Sequence, residues 1–238
     1  MHPDIAEVKF YTMFTQKDMH VIDAGAQGGN HALLFSFLCT KVHAFEPDPR
    51  CYEKLHDFFV VTPRGNVELI QKALWNEPGS VKLNMYDDKH MAWSTIAKRP
   101  LEPGGVNVEV EKVIDVPTIT IDNYCEVNDI NKIGLLKLDV EGAELQVLQG
   151  ASGLLENGAV QCCVMEYGRT WWDMGYTPDE IEELLTGYEF EIMNVLHDGP
   201  IFPGRESGYD SKYAIMVAAH KSVAGRVRSI IRTIAELG

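Results

Sequence analysis

The chain reads as an α/β protein on a Rossmann-like doubly wound sheet, and three observations predict it. Between Val21 and Glu46 come an apolar strand, a glycine-rich turn, a short apolar helix and a second strand closed by a carboxylate, the βαβ unit of a nucleotide-handling fold. Further short apolar runs, Ile133 to Leu138 and Val160 to Met165, also end at acids, as strands do when their carboxyl ends line a ligand crevice. At 238 residues and 45% hydrophobic content the chain can bury one full core, so a single α/β domain is the simplest organisation.

The elements follow in order. Strands at His20 to Ala24 and Val42 to Phe45 flank a helix from Asn30 to Leu38, with Asn30 able to act as its N-cap. Tyr52 to Val60 carries the next helix and Asn66 to Gln71 a third strand. The turn residues Asn76, Glu77, Pro78 and Gly79 between two apolar stretches predict a hairpin insert after that strand. The insert goes on through His90 to Thr95 and an alternating strand from Asn107 to Thr120, longer than a single-helix crossover, before a helix near Ile121 to Val127. After Ile133 to Leu138, a helix runs through Leu148 and stops at Gly150; after Val160 to Met165, Thr177, Pro178 and Glu180 form a capping box that starts a helix running to Gly187. Tyr188 to Leu196 and Lys212 to His220 are the last strands, on either side of a Gly/Pro-rich loop. Residues 221–238 then place Val223, Val227, Ile230, Ile231 and Ile234 on one face of an amphipathic helix that follows the 1–220 domain.

The glycine loop selects the ligand. A dinucleotide fingerprint opening at Gly25 needs glycines where Gln27 and Asn30 stand, so a pyrophosphate cradle is broken. An acid precedes the first glycine at Asp23, and another, Glu46, follows it by about twenty residues, where a carboxylate can accept both hydroxyls of a ribose. Carboxylates suit S-adenosylmethionine, which presents a sulfonium, an ammonium and a ribose diol. The acidic strand ends Asp23, Glu46, Asp139 with Glu141, and Glu166 would converge on one edge of the sheet and together favour a cationic ligand.

Composition narrows the partners. A formal net charge of −14 argues against a polyanionic substrate, so no nucleic acid is expected and a small-molecule acceptor is. Five cysteines, odd in number and without a CxxC pair, read as reduced core thiols. The first residues offer neither a basic leader nor a membrane-spanning run, and a cytoplasmic protein is the expectation. The C-terminal helix is expected to pack on its own domain or on a second subunit of a homodimer, since one short helix makes no stable membrane anchor.

VIDAGAQGGN and HAFEPDP, taken with LLKLDVEGAELQVLQGA, closely resemble the FkbM family of S-adenosylmethionine-dependent methyltransferases, over about Val21 to His220. The resemblance implies a seven-stranded, mostly parallel sheet with an antiparallel last strand, and methyl transfer to oxygen on a sugar or secondary metabolite. Residue by residue, it implies Asp23, Gly25, Gln27, Gly29 and Asn30 around the methionine part of the cofactor, Glu46 with Pro47 at the ribose, Lys72 and Ala73 near the adenine, and Ser94 and Asp139 close by. Gln27 departs from the family's asparagine, and Gly28 from its larger apolar residue.

Methyl transfer to a hydroxyl needs a group that takes the proton. The candidates are Asp139, Glu141, Glu144, Glu166 and His197, with Glu141 first because it follows its strand directly and Glu144 placed to serve a helix start. N-methylation, which asks less of a base, and noncatalytic cofactor binding stay open. Asp139 and Glu166 end neighbouring strands, where magnesium could be held with waters, but Tyr167 follows Glu166 and supplies no third carboxylate, so the metal is left open. Trp171, Trp172 and Tyr176 either stack on an acceptor or cover the core.

Overall fold

The computed structural model describes residues 3–97, 108–167, 170–195 and 214–237. The chain opens with α1 (Pro3–Phe14), then β1 (His20–Ala24), α2 (Asn30–Leu38), β2 (Lys41–Phe45), α3 (Pro49–Val61) and β3 (Val67–Ile70). The insert holds β4 (Ala73–Leu74), β5 (Gly79–Met85), a 3-10 turn at Met91–Trp93 and β6 (Lys112–Ile119). It leads through α4 (Ile121–Val127) to β7 (Leu135–Leu138), α5 (Glu144–Gln149), α6 (Ser152–Glu156), β8 (Cys162–Tyr167), α7 (Thr170–Asp173), α8 (Pro178–Gly187), β9 (Phe190–Asn194), β10 (Ala214–His220) and α9 (Ala224–Glu236).

Seven strands form the main sheet in the order β3-β2-β1-β7-β8-β10-β9, with β10 antiparallel to both neighbours and the other pairings parallel. This is the expected doubly wound sheet, with the chain's last strand inserted antiparallel next to the edge. Side chains on successive strand residues alternate between two helix layers. Val21 and Leu135 go to the core under α1, α2 and α9; Ile22, Leu136 and Leu138 go to the core under α4, α5 and α8.

Local chemistry sets the helix starts. Asp48 caps α3 by accepting from the Arg50 N–H at 2.9 Å, with Pro49 first in the helix. Thr120 caps α4 through the Asn123 N–H at 3.0 Å, and the Glu180 carboxylate of α8 reaches back to the Thr177 N–H at 2.8 Å.

Three sequence expectations need correction, and one helix lies outside them. The hairpin is not between β4 and β5: β6 lies between them, parallel to β4 and antiparallel to β5, so the turn at Asn76 to Gly79 joins strands that do not touch. Asn30 is the first residue of α2 rather than its cap; Gly29, at φ 89°, holds the cap position and donates its N–H to the Ala26 carbonyl. β8 continues past Glu166 to Tyr167, where β10 pairs with it. α1 was not anticipated, although Ala6, Phe10, Tyr11 and Phe14 share its buried face.

The apolar face of α9 is covered within the chain. Val227, Ile230, Ile231 and Ile234 join the α1–α2 core, and the Arg226 guanidinium donates to the Phe14 carbonyl at 2.6 Å and lies over the Phe14 ring. Trp171 is fully buried and Tyr176 nearly so, both in the α4–α8 core, so they cover the core rather than an entering molecule.

Candidate active site

The βαβ turn between β1 and α2 sits over the end of β7. Gly25 has φ 78°, and a Cβ built on it would lie 1.8 Å from the Asp139 carbonyl oxygen, so only glycine lets the two chain segments pass. Its N–H and that of Ala26 both donate to the Phe45 carbonyl at 3.0 Å, tying the loop to the end of β2. Gly28 is different: nothing lies within 4 Å of a Cβ there, so a larger residue would meet no obstruction.

Glu46 closes β2 and is 5% exposed. Its two oxygens accept from the Gln27 N–H at 2.9 Å and the Asp48 N–H at 2.8 Å. Burial pushes this carboxyl up to about 7 despite those bonds. Each oxygen keeps a second lone-pair direction, so a vicinal diol fits the acceptor set.

One cavity gathers most of the predicted residues. Gly25, Gln27, Glu46, Pro47, Lys72, Ala73, Ser94, Asp139 and Glu141 all line it. The sequence reading missed its apolar walls, among them Phe45, Leu74, Leu83 and Ile96, which a flat aromatic ring system fits. The insert builds the far wall: Gln27 Nε2 donates to the Ala92 carbonyl at 3.3 Å, and Ser94 Oγ donates to Asp48 Oδ2 at 2.7 Å. Arg50 holds Asp48 below the usual carboxylate range against the opposing effect of burial.

Asp139 also borders a second hollow, with Glu7 and Val8 of α1, Asn30 and His31 of α2, Leu138, Glu166 and Ile215. Burial first, then the charges of Asp139, Glu141, Glu144 and Glu7, push Glu166 up to about 8. Asn30 therefore stands at the hollow, while Glu141 stands on the first-cavity side. Gly29 lines neither; a Cβ on it would meet the Leu55 and Phe59 side chains of α3.

Asp23 is fully buried and lines neither space. Its carboxylate lies 3.1 Å from the Lys137 ammonium, which is also 3.5 Å from Asp139 Oδ2. Burial alone would discharge Lys137, but the two carboxylates outweigh it and raise its pKa. Asp23 thus anchors the lysine that faces Asp139, a part that strand-end position alone did not disclose.

Glu144 is buried, accepts from the Val140 N–H at 3.2 Å and from the Tyr176 hydroxyl at 3.2 Å, and is pushed up by burial to about 7. It holds the turn after β7 in shape, as its place at a helix start suggested. His197 lies outside the described residues. Among the described residues, no group of three or more His, Cys, Asp or Glu side chains could hold a metal ion, and no helix is long and apolar enough to cross a membrane.

Comparison with known proteins gives the same reading. The sequence profile described as Methyltransferase FkbM domain matches residues 23–192. The Sordaria araneosa protein named Methyltransferase sdnD is 29% identical over 199 residues, covering 72% of this chain and 73% of its own. The Haloferax volcanii protein named Hexuronic acid methyltransferase AglP is 26% identical over 193 residues, covering 80% and 72%. Among solved structures, methyltransferase FkbM of Methylobacillus flagellatus superposes with a TM-score of 0.52 at 11% identity, over 91% of this chain and 50% of that one. SMU.1697c of Streptococcus mutans, solved in complex with SAH, superposes with a TM-score of 0.51 at 12% identity, over 92% and 98%. Both likenesses are of fold. With a family profile spanning the glycine loop, Glu46 and the turn after β7, the chain belongs to the FkbM family of S-adenosylmethionine-dependent methyltransferases.

Proposed function

We propose that the protein moves a methyl group from S-adenosylmethionine to a hydroxyl oxygen of a small polyhydroxylated molecule, a sugar or secondary metabolite. The observation that carries this reading is the pair of spaces that meet at Asp139, one suited to the donor and one to the acceptor. When bound, S-adenosylmethionine supplies a methyl group activated on a sulfonium.

Glu46 would take the ribose diol, and Phe45, Ala73, Leu74 and Leu83 would enclose the adenine. Asp139 would face the sulfonium and ammonium, with Lys137 buried behind it fixing its position. Holding the acceptor in the second hollow, in line with the transferring carbon, supplies much of the acceleration by converting a bimolecular encounter into a positioned one. Glu166, protonated at neutral pH by its surroundings, is a hydrogen-bond donor to an acceptor oxygen rather than a base. The name of the Haloferax relative supports a sugar acceptor. The acidity of the hollow favours an amine as the second reading, because carboxylates attract an ammonium.

The test is transfer of labelled methyl from S-adenosylmethionine to free sugars, uronic acids and amino sugars, with the product's linkage read by NMR. An O-methyl product supports the proposal; an N-methyl product replaces it with the second reading. Turnover is expected to persist after chelation with EDTA, and a loss restored by magnesium would instead make Asp139 and Glu166 metal ligands.

A further inference from the structure

We propose that His31 is the group that takes the acceptor's hydroxyl proton, that Glu7 of α1 positions it, and that the second hollow is therefore a hydroxyl-acceptor site built by the first helix of the chain. The inference rests on the O-methyl transfer reading above and names the base within it.

The geometry is a relay of three side chains. Tyr11 donates its hydroxyl proton to Glu7 Oε1 at 2.6 Å, and the other oxygen of that carboxylate, Oε2, lies 3.9 Å from His31 Nε2. The Tyr11 ring meets the His31 ring edge-on at 5.6 Å, and the Phe35 ring lies 6.2 Å away, tilted 26° to the imidazole plane, so two aromatic neighbours hold the ring in orientation. An N–H on Nε2 directed at the Glu7 carboxylate leaves the lone pair on Nδ1, the tautomer that can accept a proton. The 3.9 Å gap exceeds a hydrogen bond, and such contacts tighten when substrate fills a site.

The hollow around this imidazole measures about 310 Å³ and is bordered by Glu7, Asn30, His31, Asp139 and Glu166. Among the described residues, the charged and titratable groups around His31 are Glu7 and Tyr11 from α1, Asp139 from the end of β7 and Glu166 from β8. Burial, and then Glu7, Asp23 and Asp139, hold the Tyr11 phenol far above its usual range, so it stays a proton donor to Glu7. Glu166 is pushed up to about 8, and Glu141 lines the other cavity; among the described residues, His31 is the imidazole that borders the hollow.

In the step itself, the acceptor oxygen bonds to the methyl carbon as that carbon's bond to sulfur breaks, with the bonding pair left on sulfur. The hydroxyl proton passes to His31 Nδ1 and then to solvent. Charge balances: one sulfonium is consumed and one proton released.

The experiment uses the full chain with methyl β-D-glucopyranoside and the corresponding uronic acid as acceptors. In His31→Gln, kcat should fall about 100-fold, the size expected for losing a general base, and the acid limb of the kcat–pH profile should vanish. Calorimetric affinity for S-adenosylhomocysteine should stay unchanged. Glu7→Gln should give a kcat between wild type and His31→Gln, with the acceptor KM kept, and Glu7→Asp should recover part of it. A separate readout needs no acceptor: 15N spectra of the imidazole should show the Nε2–H tautomer of His31 in wild type and a mixture of tautomers in Glu7→Gln.

A His31→Gln enzyme with wild-type kcat and pH profile overturns the proposal, as does one that loses S-adenosylhomocysteine affinity and regains its rate at saturation, which would place His31 on the donor. Identical tautomer populations in wild type and Glu7→Gln overturn the part given to Glu7. If wild type methylates neither glycoside, the sugar reading fails by itself, and the tautomer spectra still decide on the relay.

Discussion

Gly25 carries the tightest steric demand in the active site. A methyl group there would meet the Asp139 carbonyl at 1.8 Å in a backbone conformation that side chains rarely adopt. Gly25→Ala is therefore expected to lose about 3 kcal/mol or more of stability, with S-adenosylhomocysteine binding abolished, whereas Gly28→Ala should change stability by no more than about 0.5 kcal/mol. Chemical denaturation of both variants checks this; equal stability of the two would mean the loop relaxes away from β7. Gln27 and Glu141, at φ 45° and 55°, are non-glycine residues held left-handed, and both line the cavity beside Glu46. Such positions were visible in the sequence only as departures or as acids after strands, because backbone strain leaves no mark on residue type. Glu46 was legible because its spacing from Gly25 is set by the βαβ unit. His31 was not, because its meaning depends on Glu7, which arrives from a helix that the strand pattern does not position.

At the scale of elements, hydrophobic periodicity and capping chemistry were strong guides. The spans of β1, α2, α4 and α8 coincide with those read from alternation, turn residues and the capping box. The insert was misread because a turn signal specifies a reversal locally and not which strand fills the space beside it; β6 arrives from about thirty residues later and displaces β4 from β5. α1 escaped because its apolar face is completed by partners distant in sequence, α9, α2 and the sheet. The insert earns its place by walling the Glu46 cavity with Met91, Ala92, Ser94, Thr95 and Ile96. Thr95 Oγ1 donates to the Glu141 carbonyl, so the insert and the turn after β7 are fastened across the cavity mouth.

The whole molecule combines acidity with a ligand of opposite sign. Glu46 and Glu144 at about 7, and Glu166 at about 8, each hold a proton in the folded state above the pH where the unfolded chain releases it. Stability from these groups is present at low pH and is lost as pH rises through their folded values. His43, depressed to about 4 by burial, acts the other way but only below its unfolded value of about 6.5. Between about pH 6.5 and 8.5 the carboxyls, joined towards the upper end by the buried cysteines whose thiols burial also pushes up, act in one direction, so the ligand-free protein should melt at a lower temperature as pH rises across that window. S-adenosylmethionine, being cationic, should raise the melting temperature more at pH 8.5 than at pH 6.5. A ligand-free melting temperature that is flat or rising across the window would mean these carboxyls are already ionised at pH 6.5.

The central claim is that Glu46 and the Gly25 loop form the donor site. Titration calorimetry of S-adenosylhomocysteine into wild type and Glu46→Gln at pH 8 tests it most directly. Loss of charged hydrogen bonds worth about 1.5–3 kcal/mol predicts affinity about ten- to a hundredfold weaker in the variant, with folding retained. Equal affinity in the two proteins, or no binding to wild type, would contradict it.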